Sequence, residues 1–381
     1  MTETVSLLKS PKLIHSLMRE LNKKVVGEEK TKLALIIHAA HIWVRNPELK
    51  LHLCINSESN AGKSHTAKKV FDLFPEDKKV YRNKLTPEVF TYWQTSNPQH
   101  SWDCKLLMLD DVKESLMNAD TFKTMLSEGS IATVVKEQKA VDIEIKGKPN
   151  VILTTAENKA SAEVENRFNF IAMDESSEQT IEIMKRQATT SAKGQADAYE
   201  PLVLKALEKL EPVDVVIPYG EMLWGLLPSG NIKARRDFPR FLELIKSSAA
   251  LHQFQRERDE NGRVLADGYD YEVARSVIQS LDLSEDLAVT SHNLKKAYDY
   301  AKELYKSKGY FTIQEIASFA PFVEERQWRR YLRELSDKGF LKIELEKPEK
   351  GRPFQVFTPL DKTTYSLPSF EKIQGGDDFM T

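Results

Sequence analysis

One short stretch constrains this chain more than any other feature. Residues 57–64 read Ser-Glu-Ser-Asn-Ala-Gly-Lys-Ser, after the apolar run 51–55 (LHLCI) and before the helical pattern HTAKKVFDLF. A tight loop between a strand and a helix N-terminus is a phosphate cradle, because free backbone N–H groups and the helix dipole favour an anion there. Lys63 is expected to reach the β- and γ-phosphates and the Ser64 hydroxyl to ligate Mg²⁺. Gly62 lets the backbone approach the phosphates closely. Ser57, Asn60, Ala61 and His65 complete the expected nucleotide-binding set. A Gly-Lys-Ser tripeptide alone is common on surface loops; the flanking strand and helix single this one out.

A second element lies downstream. The run 106–109 (LLML) ends in Asp110-Asp111. Its strand would deliver Asp110 to the Mg²⁺ and let Asp111 polarise an attacking water. Two further short apolar runs, 151–155 (VILTT) and 168–173 (FNFIAM), alternate with helical patterns, which argues for a parallel sheet covered by helices. The first is followed by Ala156-Glu157-Asn158, so Asn158 or Thr155 could hold water beside the γ-phosphate. The second is preceded by Asn166-Arg167. Arg167 is either a charge-stabilising arginine reaching a neighbouring subunit's site or a surface arginine paired with Glu163 or Glu165.

In this order the segments resemble the AAA+ ATPases, and within them the minichromosome-maintenance (MCM) helicases and related replication ATPases of mobile elements. Residues 26–35, with Gly27, Glu29, Lys32 and Ala34-Leu35, look like the opening signature of those helicases. The resemblance implies ATP and Mg²⁺ as cofactors, a parallel α/β P-loop sheet with helices on both faces, and an α-helical lid. It also gives a meaning to 128–150, which alternates as a β-hairpin with Lys136-Glu137-Gln138-Lys139 at its tip. In such helicases this hairpin projects lysines onto DNA phosphates, a role Lys136 and Lys139 match; a solvated turn is the alternative. Within 235–243 (RRDFPRFLE), Arg240 best fits the lid arginine that in such rings acts on the neighbour's nucleotide, with Arg236 as rival. The pattern departs from the family in three places: Asp111 stands for the customary Glu, Ser57 for the first Gly of the loop, and Glu157-Asn158 shifts the sensor asparagine by one residue, so that Thr155 could serve instead. The N-terminal DNA-encircling domain of full-length MCM proteins is not expected, and its zinc motif needs more than the two cysteines present.

Residues 309–360 read as helix, helix and two strands, a winged helix. Trp328, Tyr331, Leu332 and Leu335 form its buried stripe, while Arg326, Arg330 and Arg333 lie on another face. With Arg352 at the wing tip they would contact DNA, or the module would dock protein instead. The expected organisation is 1–24 an N-terminal helix, 25–175 the ATPase core, 176–305 the helical lid, 306–362 the winged helix and 363–381 a flexible tail.

Composition narrows the partners. A net charge of −2 over 381 residues gives no global attraction to nucleic acid, so DNA contact must be local. No apolar run spans a membrane, the N-terminus carries no secretory signal, and two cysteines suit a reducing, cytoplasmic setting. The expectation is therefore a hexameric ATP-dependent DNA helicase or translocase in replication, acting on single-stranded or forked DNA, with a primase or initiator as an open partner. The alternative is a nucleotide-switched initiator or helicase loader without unwinding activity.

Overall fold

The computed structural model describes residues 3–57, 61–86, 89–127, 130–136, 139–156, 164, 167–193, 198–226, 234–281, 292–321, 323–337, 340–346, 353–359 and 367–374. The chain divides into two compact units, 1–281 with 367–381, and 282–366.

The first unit is built on a five-stranded parallel sheet. In chain order its strands are β1 (Leu53–Asn56), β2 (Lys79–Arg82), β3 (Leu106–Leu109), β6 (Asn150–Thr155) and β7 (Asn169–Ile171). Across the sheet they run β2-β3-β6-β1-β7. Every residue of β1, β3, β6 and β7 is buried, as a parallel sheet covered on both faces requires. The four apolar runs of the sequence supply these four strands. The fifth, β2, is an edge strand reading Lys-Val-Tyr-Arg, whose charged ends hide it from a search for apolar runs.

Helix Glu29–Ala40 is buried along most of its length, between the sheet and the helices Ala234–Leu251 and Gly268–Leu281. His38 on this helix, and His41 in the turn that follows it, pair with polar residues at the N-terminal ends of the strands. Asn169 Nδ2 lies 2.8 Å from His38 Nε2, and Asn150 Nδ2 lies 2.8 Å from His41 Nδ1. His41 Nε2 in turn lies 2.8 Å from Glu243 Oε2 on helix Ala234–Leu251. Such pairing is what permits polar groups to sit in an interior.

Ser10 closes a turn, accepting from Lys12 N at 3.2 Å, and the helix that follows runs Leu13–Asn22. A preceding helix, Glu3–Leu8, packs on helix Pro201–Leu207, and Glu20 Oε2 accepts from Glu200 N at 3.2 Å. The segment near residue 200 therefore belongs with the N-terminus.

The hairpin forms as expected. Strands β4 (Ser130–Lys136) and β5 (Lys139–Ile145) pair antiparallel with Lys136 opposite Lys139. Ile131 and Val141 are exposed.

Residues 363–381 were expected to be a flexible tail, but 367–374 is a docked strap. Leu367 and Ile373 are buried. Leu367 O accepts from Arg275 Nε at 2.6 Å, Pro368 O from the Tyr271 hydroxyl at 2.8 Å, and Glu272 Oε1 accepts from Phe370 N at 2.7 Å. The Phe370 ring covers Gly268 so closely that a Cβ there would overlap it. Few apolar residues sufficed because each one is anchored.

The second unit holds helices His292–Lys308, Ile313–Phe319 and Glu325–Asp337, then the antiparallel pair β8 (Leu341–Glu346) and β9 (Phe354–Pro359). Helix His292–Lys308, assigned to the lid from sequence, belongs to this unit. Thr312 and Glu315 form a capping box at the second helix. Trp328, Leu332 and Leu335 are fully buried with Phe311, Ile316, Tyr298 and Phe340, while Tyr331 is half-buried. A bridge between Phe311 and Phe357 ties the hairpin to the helices.

Candidate nucleotide-binding site

All five strands of the sheet point the same way, so the loops after β1, β3 and β6 gather at one edge, where ligands of open α/β sheets bind. Gly62, at φ 84°, ends the loop, and helix Lys63–Phe71 starts at the next residue. A Cβ at Gly62 would meet only Met173 Cε, at 3.9 Å, so it is the left-handed backbone that favours glycine here. Lys63 is buried and its ammonium donates to the carbonyl of Ser57. Burial lowers its pKa, against the opposing charges of Asp111, Glu175 and Asp110. Glu175 is a neighbour that sequence reasoning missed.

Ser57 explains its own departure from glycine. Its Oγ accepts from Met173 N at 2.7 Å, pinning the loop to the segment that follows β7. That segment is held in turn by the opening signature. Glu28 Oε1 accepts from Asp174 N at 2.9 Å, and Gln179 Nε2 donates to Val26 O at 2.7 Å. Gly27 is required here, since φ is +59° and a Cβ would overlap the Gln179 amide. His65, exposed, has its Nε2 3.2 Å from Lys24 O.

Asp110 is the most closely held group of the site. The Thr154 hydroxyl donates to its Oδ1 at 2.7 Å and the Tyr81 hydroxyl to its Oδ2 at 3.1 Å. The Ser64 side chain is hydrogen-bonded to it as well. Burial alone would raise its pKa, but these side-chain bonds hold the carboxyl below its ordinary value. Asp111 has φ 51°, a left-handed conformation that aspartate tolerates, and its N donates to Thr154 Oγ1 at 2.9 Å. Neither Tyr81 nor Thr154 was found from sequence. Threonine at the end of an apolar strand reads as strand propensity, and Tyr81 comes from the edge strand.

Lys63, Ser64, Asp110 and Asp111 thus come together as expected, with Ser57, Ala61 and Gly62 in the loop. Asn60 and Asn158 lie outside the described residues, as does Arg352. Thr155 is buried and its hydroxyl donates to Val112 O at 2.9 Å. Arg167 directly precedes β7, whose Asn169 pairs with Leu53 at the start of β1. It therefore lies at the opposite edge of the sheet from the loop that follows β1.

Arg240 is enclosed rather than presented to a neighbouring copy. It is 5% exposed, lies 3.8 Å from Asp237 Oδ1, and its charge acts on His38 and His52. His52 precedes β1, so Arg240 too belongs to the edge away from Gly62. Arg236 is more accessible, with its Nε 3.2 Å from Asp237 Oδ1. Lys139, Arg326, Arg330 and Arg333 are exposed. Of Lys136 the backbone alone is described, at the end of β4.

The donor set fits a metal–nucleotide. A lysine beside a helix N-terminus suits phosphate, and a serine hydroxyl already bonded to an ionised carboxylate suits a hard cation such as Mg²⁺. Loop, helix and acidic strand define a P-loop nucleotide-binding protein. A family model described as the MTBMA_p00010 P-loop domain matches residues 1–207, and the chain belongs to that family. The match begins and ends where helices Glu3–Leu8 and Pro201–Leu207 pack together. No curated protein matches the chain. Among the described residues no helix is long and apolar enough to cross a membrane.

Proposed function

We propose that this chain is an AAA+ motor of the MCM-like type. It assembles as a ring, a hexamer, and uses ATP and Mg²⁺ to move along or unwind single-stranded or forked DNA during replication. The observation that carries the reading is the opposed placement of Lys63 and Arg167. The lysine follows the C-terminal end of β1, and the arginine precedes β7 at the other edge of the same sheet. An arginine so placed is out of reach of its own chain's loop, so any nucleotide it serves belongs to a neighbouring copy. The strand order supports the same class, since β6 stands between the loop strand β1 and the acidic strand β3, as in AAA+ proteins.

In this reading Lys63 and the amides at Gly62–Ser64 bind the β- and γ-phosphates. Bound Mg²⁺ supplies charge neutralisation, and Ser64 and Asp110 would hold it. Asp111 orients water and takes its proton. Arg167 of one copy stabilises charge developing at the next copy's γ-phosphate. The hairpin ending at Lys136 and Lys139 grips the DNA backbone without sequence preference. Helices Ser177–Lys193, Ala234–Leu251 and Gly268–Leu281 act as the lid. The second unit is a winged helix whose Arg326, Arg330 and Arg333 face is open to DNA.

The test is strand displacement on forked DNA with ATP, alongside phosphate release. Wild type should unwind, and Lys63→Ala should neither unwind nor release phosphate. DNA-stimulated turnover without strand displacement would favour the initiator or loader. Unchanged turnover in Lys63→Ala would remove the loop from the argument.

A further inference from the structure

Tyr81 stands outside the loop, the acidic pair and every expected site residue, yet its hydroxyl reaches Asp110 Oδ2 at 3.1 Å. Three things fix it there. β2 pairs with β3 so that Tyr81 is opposite Met108, two residues before Asp110. Its ring lies 6.2 Å from that of Phe71, and Lys68 Nζ sits 5.1 Å from the ring centroid. Phe71 and Lys68 belong to the helix that opens with Lys63-Ser64. The phenol therefore touches both the helix carrying the phosphate loop and the carboxylate across from it.

A carboxylate has two oxygens and about four lone-pair positions. Thr154 occupies one position on Oδ1 and Tyr81 one on Oδ2. With both oxygens held from different strands, the carboxyl plane cannot turn without losing one bond or the other. We propose that Tyr81 is a positioning residue for the metal–nucleotide: it fixes the orientation in which Asp110 meets Ser64 and the bound cation. The proposal rests on the reading of this site as a nucleotide–Mg²⁺ site. Partners behind a metal-holding carboxylate commonly change metal affinity by about 10- to 100-fold when removed.

The experiment uses the full chain and a fluorescent ATP analogue, with anisotropy followed as MgCl₂ is titrated from a metal-free start. Tyr81→Phe keeps the ring contacts and removes only the hydroxyl. Its Mg²⁺ midpoint should rise about tenfold, with metal-free nucleotide binding within about twofold of wild type. Thermal melting run in parallel reports folding. A Tyr81→Phe midpoint equal to wild type overturns the proposal, and so does loss of metal-free binding in step with a fallen melting temperature, which marks a purely structural role. If wild type itself shows no Mg²⁺-dependent binding, the nucleotide reading fails first and takes this inference with it.

Discussion

The Thr154 hydroxyl stands between the two carboxylate residues of the site, donating to Asp110 Oδ1 at 2.7 Å while accepting from the amide of Asp111 at 2.9 Å. One side chain on β6 thus sets both the direction of Asp110 and the left-handed turn at Asp111. Thr154→Val keeps the shape and removes the bonds. ATP turnover should fall about tenfold, ~1.4 kcal/mol on the barrier, while Thr154→Ser stays near wild type. Phosphate-release kinetics on the two variants decide it; equal rates for valine and serine would leave the hydroxyl without a role.

Arg167 gives a prediction that depends on assembly. Arg167→Ala alone should lose roughly a thousandfold in turnover. Mixed with Lys63→Ala, itself inactive, it should regain part of that activity, because some interfaces then combine an intact lysine with an intact arginine. A titration of one variant into the other measures this. Mixtures no more active than either parent would contradict an arginine acting across subunits.

Acid stability follows from the buried histidines. Burial pushes His38 and His52 down to about 3 and His252 to about 4. All three are neutral in the fold, whereas in the unfolded chain they take up protons below about 6.5. The unfolded state then binds more protons, so stability falls as pH drops from about 6.5 towards those lower values. At pH 5 each histidine contributes about 2 kcal/mol of destabilisation relative to pH 7. Melting temperature should decline steadily from pH 7 to 5, and His52→Gln should flatten the slope. A melting temperature independent of pH in that window would contradict neutral burial.

The strap yields a test of packing. A methyl at Gly268 would overlap the Phe370 ring, so Gly268→Ala should expel it and cost about 1–3 kcal/mol. Limited proteolysis should then cut near 367–374 faster than in wild type, and Phe370→Ala should behave alike. Equal cutting rates would mean the ring is not held as described.

Much of the first unit could be read from the sequence because burial wrote it there. The strands β1, β3, β6 and β7 are apolar runs, and the loop at 57–64 and Asp110-Asp111 follow two of them. What stayed hidden was carried by pairing across the chain. Tyr81 matters because β2 lies beside β3, and Ser57 because Met173 N meets its hydroxyl. Arg240 misled for the same reason. Its spacing suits a nucleotide-sensing arginine, but helix Ala234–Leu251 packs on helix Glu29–Ala40 and buries it beside Asp237. The tail misled by composition, since Leu367, Phe370 and Ile373 are few but each finds a fitted seat.

The strap also changes what the second unit is. The chain leaves helix Gly268–Leu281 at its end to build residues 282–366, then comes back to lie along that helix at Tyr271 and Arg275. By chain order the module is an insertion within the first unit, not an appendage after it. A chain cut once inside that insertion would still keep its C-terminal piece on the first unit, through the strap's own hold on Tyr271, Arg275 and Gly268.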